Sequence, residues 1–585
     1  LLAVLTFGAY SALAWTSRCL LPGPFALVSQ LPFFSGNRYP SRYSVMLLIG
    51  VGVLAAYGLA SALMRLAQSR RPTQSASAGE SAPQWMAWLL AAVCGLFLFE
   101  HLSTPLPLND FRIPPIYDRL AAVEGDFAVL ELPTGWRNGA RVQGISDELI
   151  MMQQWYQTRY GQHRLGGNTS RNPAYKFDYF IQAPLIGDLI GLMNADREHV
   201  APVVEAELGA LIAANRPRAA DVLDQLGVEF VVVHVEESPP ALLRFIDAVL
   251  PLALVEEWKG DNWRGEASTI RLYQVASSQQ PSTKQPSTKQ IDIPSEAGRL
   301  HLAEGWSSLA SSDGHIRYAT ANPAELMLDL PERGGLLQIE LFGPAREAEI
   351  LLNGETLGSF VIDDSPQVVE LAVPPGVANQ LVDRLRFDFG DAVTPAHLTA
   401  TSPDERGWSI GATGAFLAPD AALVVASAGE EVGNDARLFV NGREIADEGR
   451  GYHLVALDAT GAVLDRTQFD TLAAPSESAA MAAWLDALPN GVIVAGAVAD
   501  EASYNLSQDA VDALARLGVA TDLRGHFRWS HAFVGVVGAA PGSALEASSL
   551  LRPAVVAVGA PVDAEFVSGG VGRIDFTPAQ SAPDS

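Results

Sequence analysis

Between Leu326 and Phe389 the chain repeats one rhythm, short apolar runs broken by turn-forming residues. Leu326–Leu330, Leu336–Phe342, Ala348–Leu352, Val368–Val373 and Leu385–Phe389 are short, and no helical period runs through them. Asn353-Gly354 separates two of the runs and tolerates the positive φ that a two-residue hairpin turn requires. Such a segment buries its apolar faces sheet against sheet. Residues 297–404 are therefore expected to form a β-sandwich.

The flanking sequence follows other rules. Phe127–Leu132 and Glu229–His234 are apolar, β-branched runs that fit buried strands, and Ala219–Leu226 is a helix stopped by Gly227. Residues 269–275 alternate like a closing strand, so residues 102–276 are expected to be an α/β domain. Within it, residues 155–180 are rich in Tyr, Arg, His and Asn. They read as a long irregular loop packed by its aromatics or, as an alternative, an acceptor-binding loop. A direct repeat, QPSTK-QPSTK, cannot bury enough apolar surface to offset the entropy of ordering, so residues 277–296 are expected to be a linker.

The composition is 48% hydrophobic, and the excess lies in the first hundred residues. Residues 44–64 carry no charge and suffice to cross a bilayer core of about 30 Å as a helix. Helices spanning a membrane are expected at about 1–16, 44–66 and 83–100, with Trp85 and Trp88 as interfacial anchors. A cleavable leader is the rival at the start, and a buried core helix is the rival for the third span. The chain opens at Leu1 inside an apolar run, so further protein is expected upstream. Arginines flanking the second span tie in number and do not orient it. The segments SGNRYPSRYSV and FAVLELP resemble the C-terminal end of polytopic bacterial glycosyltransferase-like membrane proteins. That resemblance implies a multi-pass cell-membrane protein, with the lipid bilayer as a partner and residues 102–585 outside the cytoplasm. Any catalytic carboxylates would then lie upstream of Leu1.

A net charge of −27 and the lack of a Lys/Arg cluster exclude a nucleic-acid partner. Both cysteines, Cys19 and Cys94, lie in the front section, so the remainder has neither a disulfide framework nor a thiolate metal site. No nucleophile elbow, phosphate loop or Cys–His pairing appears, so no catalytic residue or cofactor is assigned. His453 and His531 lack partners at metal spacing. The acid pairs Asp363-Asp364 and Glu430-Glu431 sit beside turns and read as solvated.

Residues 405–542 are expected to be an α+β, sandwich-like domain. Strands fall at Ala421–Ser427, Ala436–Val440, Tyr452–Asp458, Val492–Val498 and Phe533–Val537. One helix is capped by Ser476 and buries Met481, Trp484, Leu485 and Leu488; another starts near Ser507. Residues 543–585 read as extra strands and a loose tail.

The words AGEEVGNDARLFVNG, GRGYHLVALDATGAVL, TQFDT, VADEAS, LARLG and FRWSHAFVGVVGA resemble the interleukin-like EMT inducer domain, also called PANDER or GG. That domain occurs in cytokine-like proteins, in hyaluronan-degrading cell-surface proteins and in the stem of a protein O-mannose N-acetylglucosaminyltransferase. In that stem, which looks like a lectin for a β-linked amino sugar, an Arg, an Asp and a second Arg hold the ligand. The matching positions here are Arg450, Asp500 and Arg528, at intervals of 50 (500 − 450) and 28 (528 − 500). The family's Asp and Trp after the third position stand here as Trp529 and His531, and Trp529 could supply a stacking face. The residue types suit a glycan: a carboxylate accepts two hydroxyl bonds and a guanidinium fork donates several in fixed geometry. The same three residues would equally serve as an ion-pair network locking turns, and Glu501 reads as a local cap. The 297–404 pattern is similar to galactose-binding-like jelly rolls, or to a spacer sandwich. Three functions follow: a carbohydrate-binding protein accessory to glycan transfer, the C-terminal part of a membrane glycosyltransferase with structural soluble domains, or a protein-interaction module.

Overall fold

The computed structural model describes residues 44–69, 84–100, 110–138, 141–169, 172–276, 288–363, 365–390, 394–395, 405–447 and 449–579. They belong to two compact units, Leu1–Leu108 and Asn109–Ser585.

The first unit holds helices Ser44–Ser69 and Gln84–Glu100. Among the described residues no helix is long and apolar enough to cross a membrane, which overturns the expected spans at 44–66 and 83–100. Gln84–Glu100 has 17 residues, about 26 Å at 1.5 Å per residue and short of a core of about 30 Å. Ser44–Ser69 is longer, with 26 residues, and carries Gly50, Gly52 and Gly58 along its length and Arg65 near its far end. The expected span at 1–16 lies outside the described residues.

The second unit begins with the α/β domain. Its sheet runs in the order His163–Leu165, Ala128–Leu132, Val228–His234, Ala267–Val275, Leu252–Asp261. The two central strands are parallel and almost wholly buried, which explains their continuous apolar sequence. Residues 155–180 are not an irregular loop. They continue helix Leu149–Tyr160, then form short strands at His163–Leu165 and Gly167–Asn168 and helix Ala174–Gln182. The helical stripe Leu149, Met152, Gln153, Tyr156, Tyr160 starts upstream of residue 155, so a window opening there misses its period. Tyr156 and Tyr160 pack on Tyr117, with ring centroids 5.0 and 6.0 Å away.

A polar cluster lies inside this core. Glu131 is fully buried and takes His234 Nε2 at 2.9 Å and the Tyr117 hydroxyl.

The sandwich packs a six-stranded sheet on a four-stranded one. The first orders Trp306–Ala310, Arg317–Ala319, Gly569–Pro578, Gly335–Phe342 and Gln367–Val373, with Lys289–Asp292 also on Gly569–Pro578. The second orders Ala324–Leu328, Asp383–Asp388, Arg346–Leu352 and Glu355–Ile362. Asn353 and Gly354 both take positive φ, +51° and +89°, at the hairpin between the last two sequential strands. The C-terminal segment, read as extra strands, supplies the central strand Gly569–Pro578, and the linker's end supplies Lys289–Asp292. Residues 277–287, which hold all of the repeat except Thr288 and Lys289, lie outside the described residues.

The third domain is one nine-stranded sheet folded into two layers. Its path runs Arg443–Glu444, Asp435–Val440, Leu423–Gly429, Ile493–Asp500, Gly451–Leu457, Val463–Phe469. Ser530–Val536 pairs with Ile493–Asp500 and Leu545–Ser549, and Ala554–Val558 pairs with Leu423–Gly429. Helices Pro475–Asp486 and Gln508–Ala515 cover one face. The second helix starts beside Ser507, near where it was expected, and Ser507 caps it, its side chain accepting from Ala510 N. Ser476 does not cap the first, whose N-cap is Ala474 with Pro475 beginning the helix. Ala428, Val432, Leu550 and Leu551 join the core of the α/β domain, so the two domains share one apolar interior.

Removing the imidazole in His234→Ala should leave the buried Glu131 carboxyl short of a partner and destabilise the α/β domain by about 3–5 kcal/mol. Calorimetry should show its transition at lower temperature, with a smaller loss in Glu131→Gln, which keeps groups able to bond Tyr117 and His234.

Candidate functional site

The two layers of the third domain join at a corner. Leu423–Gly429 and Ile493–Asp500 run parallel for only two residue pairs, Ala428 with Ala499 and Gly429 with Asp500. Gly451 pairs with Ala499 on the other edge, which sets Arg450 beside Asp500. Gly429 N donates to Ser530 Oγ at 3.0 Å, drawing the segment before Ser530–Val536 over the same corner. A Cβ at Gly429 would overlap the Arg528 carbonyl, so the close approach requires glycine. Arg450, Asp500 and Arg528 thus come together, although 78 residues (528 − 450) separate the outermost two. Asp500 feels the charge of both arginines.

Each guanidinium is held by another carboxylate. Arg450 donates from Nε and Nη2 to Asp470 at 3.0 and 2.8 Å. Arg528 reaches Glu430 at 2.7 Å and Glu431 at 3.1 Å. Such forks fix the planes of both guanidinium groups. Asp500 faces Glu430 instead. Burial, then the charge and hydrogen bond of Glu430, push its carboxyl up to about 6, against the pull of Arg450 and Arg528.

Glu430-Glu431 is not the solvated pair that its turn position implied. Glu431 is 3% exposed and takes Arg197 Nη1 at 2.6 Å, His199 Nε2 at 3.0 Å and Arg528. Burial alone would raise its pKa, but the charge and bond of Arg197 and the bonds of Arg528 and His199 hold it below the usual carboxylate range. Glu501 is the local cap expected of it. It accepts from Ser503 Oγ at 2.6 Å, Tyr504 N at 2.9 Å and the Arg528 amide. Asp500 and Arg528 both hold positive φ, +62° and +63°. A β-carbon makes that region unfavourable, and such strain concentrates at functional positions.

Trp529 is not the exposed aromatic of the corner. It is half-buried, packs against the cores of two domains and meets the His526 ring edge-on at 4.7 Å. The exposed aromatic beside the corner is Tyr504, 72% exposed and four residues after Asp500. His531 is buried between Tyr452 and Glu546, and His453 bonds the Gly449 carbonyl. Asp470 and Glu430-Glu431 lie inside the quoted words TQFDT and AGEEVG, so a signal existed for them. Arg197 and His199 carried none.

Residues 450–539 match the family model described as interleukin-like EMT inducer and form that domain. No curated protein matches the chain. Among solved structures, an FMN-binding β-glucuronidase from Facaelibacterium prausnitzii L2-6 is 11% identical over 37% of this chain and 38% of its own, with a TM-score of 0.12. A Ruminococcus gnavus β-glucuronidase is 13% identical over 46% of each chain, TM-score 0.12. The arabinofuranosyltransferase AftD from Mycobacteria is 11% identical over 88% of this chain and 61% of its own, TM-score 0.18. The chain thus spans less than half the length of the glucuronidases, and at these scores the likeness carries no argument.

Because the folded state binds the Asp500 proton more tightly than an unfolded carboxyl, this group stabilises the fold below about pH 4 and the contribution fades as pH rises through about 6. Asp500→Asn should flatten that part of the stability–pH curve, measured by urea titration from pH 4 to 7.

Proposed function

We propose that the corner is a saccharide-binding site and that the protein is a carbohydrate-binding, lectin-like protein of the cell envelope, accessory to glycan transfer. The observation that carries this is the half-buried Asp500 carboxylate, strained at φ +62° between two arginines whose planes are already fixed by other acids. Fixed forks lose little further freedom on binding, which favours recognition of a neutral, many-hydroxyl ligand. Asp500, once ionised, accepts hydroxyl bonds, Arg450 donates from the edge its fork leaves open, and Tyr504 supplies an apolar face. The family match over residues 450–539 supports the reading, since the domain also occurs in the lectin-like stem named above. A β-linked amino sugar is the ligand to test first. Placement of these domains outside the cytoplasm belongs to the same proposal.

A second reading has its own observation. The buried Glu431, bonded by Arg197, His199 and Arg528, suits a clamp between domains with no ligand at all.

The two readings separate by mutation. Arg450→Ala and Asp500→Ala should lose binding to a panel of β-linked amino sugars by at least about tenfold while melting within a few degrees of the parent, because partly exposed ion pairs contribute only about 0–1 kcal/mol. Parent-like binding by both variants on a glycan array rejects the site. Should the variants instead unfold, the clamp accounts for the cluster. Binding by the parent should also strengthen between pH 5 and 7 as Asp500 ionises, and lose that dependence in Asp500→Asn.

A further inference from the structure

Two cavities lie where all three domains of the second unit meet, the larger of them clear of the corner. One cavity of about 630 Å³ is lined from the α/β domain by Gln182 and Asp188, from the sandwich by Arg299 and Arg317, and from the third domain by Ser549 and Arg552. It shares Gln182, Arg299 and Ser308 with a neighbouring cavity of about 280 Å³. The larger volume falls in the range of small-molecule sites.

Its charges are unusual. Arg317 is 1% exposed, because strand Arg317–Ala319 turns it inward. Its Nη1 and Nη2 donate to the carbonyls of Ser307 and Pro294 at 3.2 and 3.0 Å, and Nε has no partner. Arg299 donates from Nη1 to Gln182 Oε1 at 2.7 Å. Among the described residues neither guanidinium has a carboxylate within ion-pair distance. The acids around them are engaged elsewhere: Asp188 with Arg552 and Asn215, Glu296 with Arg218, Asp563 with the Ser308 amide.

A buried cation without a counter-ion is expensive, since carbonyl dipoles replace only part of its hydration. Burial, and then the charge of Arg299, lower Arg317 to about 9, so it still keeps its proton at neutral pH. Two guanidiniums line one partly open space, neither of them in an ion pair among the described residues, and Glu296 and Asp563 act on them only from a distance, so a negative charge there is stabilised.

We infer that the junction cavity binds a small carboxylate-bearing molecule of about one sugar ring, its acid group held by Arg299 and stabilised through the field of Arg317. A monoanion suits the site better than a dianion, because Asp563 stands near both arginines and Glu296 near Arg299, and they would repel a second charge. Ser308 and Ser549 offer hydroxyls to the rest of the ring. This site stands apart from the corner and does not rest on the reading given to it.

The test is calorimetric titration of the intact protein at pH 7 with D-glucuronate, D-glucose and inorganic phosphate. Glucuronate should bind, glucose should not, and phosphate should bind more weakly than glucuronate. Arg299→Gln should weaken glucuronate by at least about tenfold, with Arg299→Lys, which keeps the charge but loses the fork, in between. If Arg299→Gln fails to fold, Arg299→Lys and the glucuronate–glucose contrast in the parent decide. Equal binding of glucuronate and glucose, no binding of either, or full affinity in the variants overturns the inference, and tighter phosphate than glucuronate overturns the carboxylate assignment.

Discussion

A carboxylate that is 3% exposed can remain ionised inside a protein only if its lost hydration is replaced bond for bond, and Glu431 meets that demand with donors from two domains. Arg197 and His199 come from the α/β domain, and Arg528 comes from the segment that closes the sheet corner. Around that acid the rest of the corner becomes determined. Arg528 is pinned at its side chain by Glu430 and Glu431 and at its amide by Glu501, which explains how an arginine persists at φ +63°. Glu501 in turn organises Ser503 and Tyr504, so the exposed tyrosine beside Asp500 is placed by the same chain of bonds.

The positions of Arg450, Asp500 and Arg528 were legible in the sequence because each sits in a short word whose spacing follows from strand lengths. Their partners were harder to see. The link between Arg197 and Glu431 spans 234 residues and has no local signature. Trp529 shows a related limit: the sequence shows an aromatic next to Arg528 but not the direction of its ring, and the ring is consumed by packing between domains.

The fold divides along the same line. Strands with alternating burial and a turn demanding positive φ, Asn353-Gly354, report local physics and were readable. Strand Gly569–Pro578 was recognised only as β-like sequence, because no local pattern states that it lies between Arg317–Ala319 and Gly335–Phe342, more than 200 residues earlier. The helix through Tyr156 was lost to a boundary placed inside its period. The expected membrane spans rested on runs without charge, and absence of charge does not ensure enough length, as the 17 residues of Gln84–Glu100 show.

The chain carries a net charge of −27, and its two polar sites meet that field differently. At the corner, acids outnumber bases and both arginines are neutralised in place, so a neutral ligand approaches without electrostatic penalty and is sorted by hydrogen-bond geometry. At the junction Arg299 and Arg317 form no ion pair among the described residues. Beyond about 8–10 Å at ordinary salt an approaching anion is screened from the acidic surface, and attraction takes over only at contact, inside low dielectric where it is strongest. The acidic surface would therefore slow entry to the junction more than it would weaken the bound state, whereas at the corner it would affect neither.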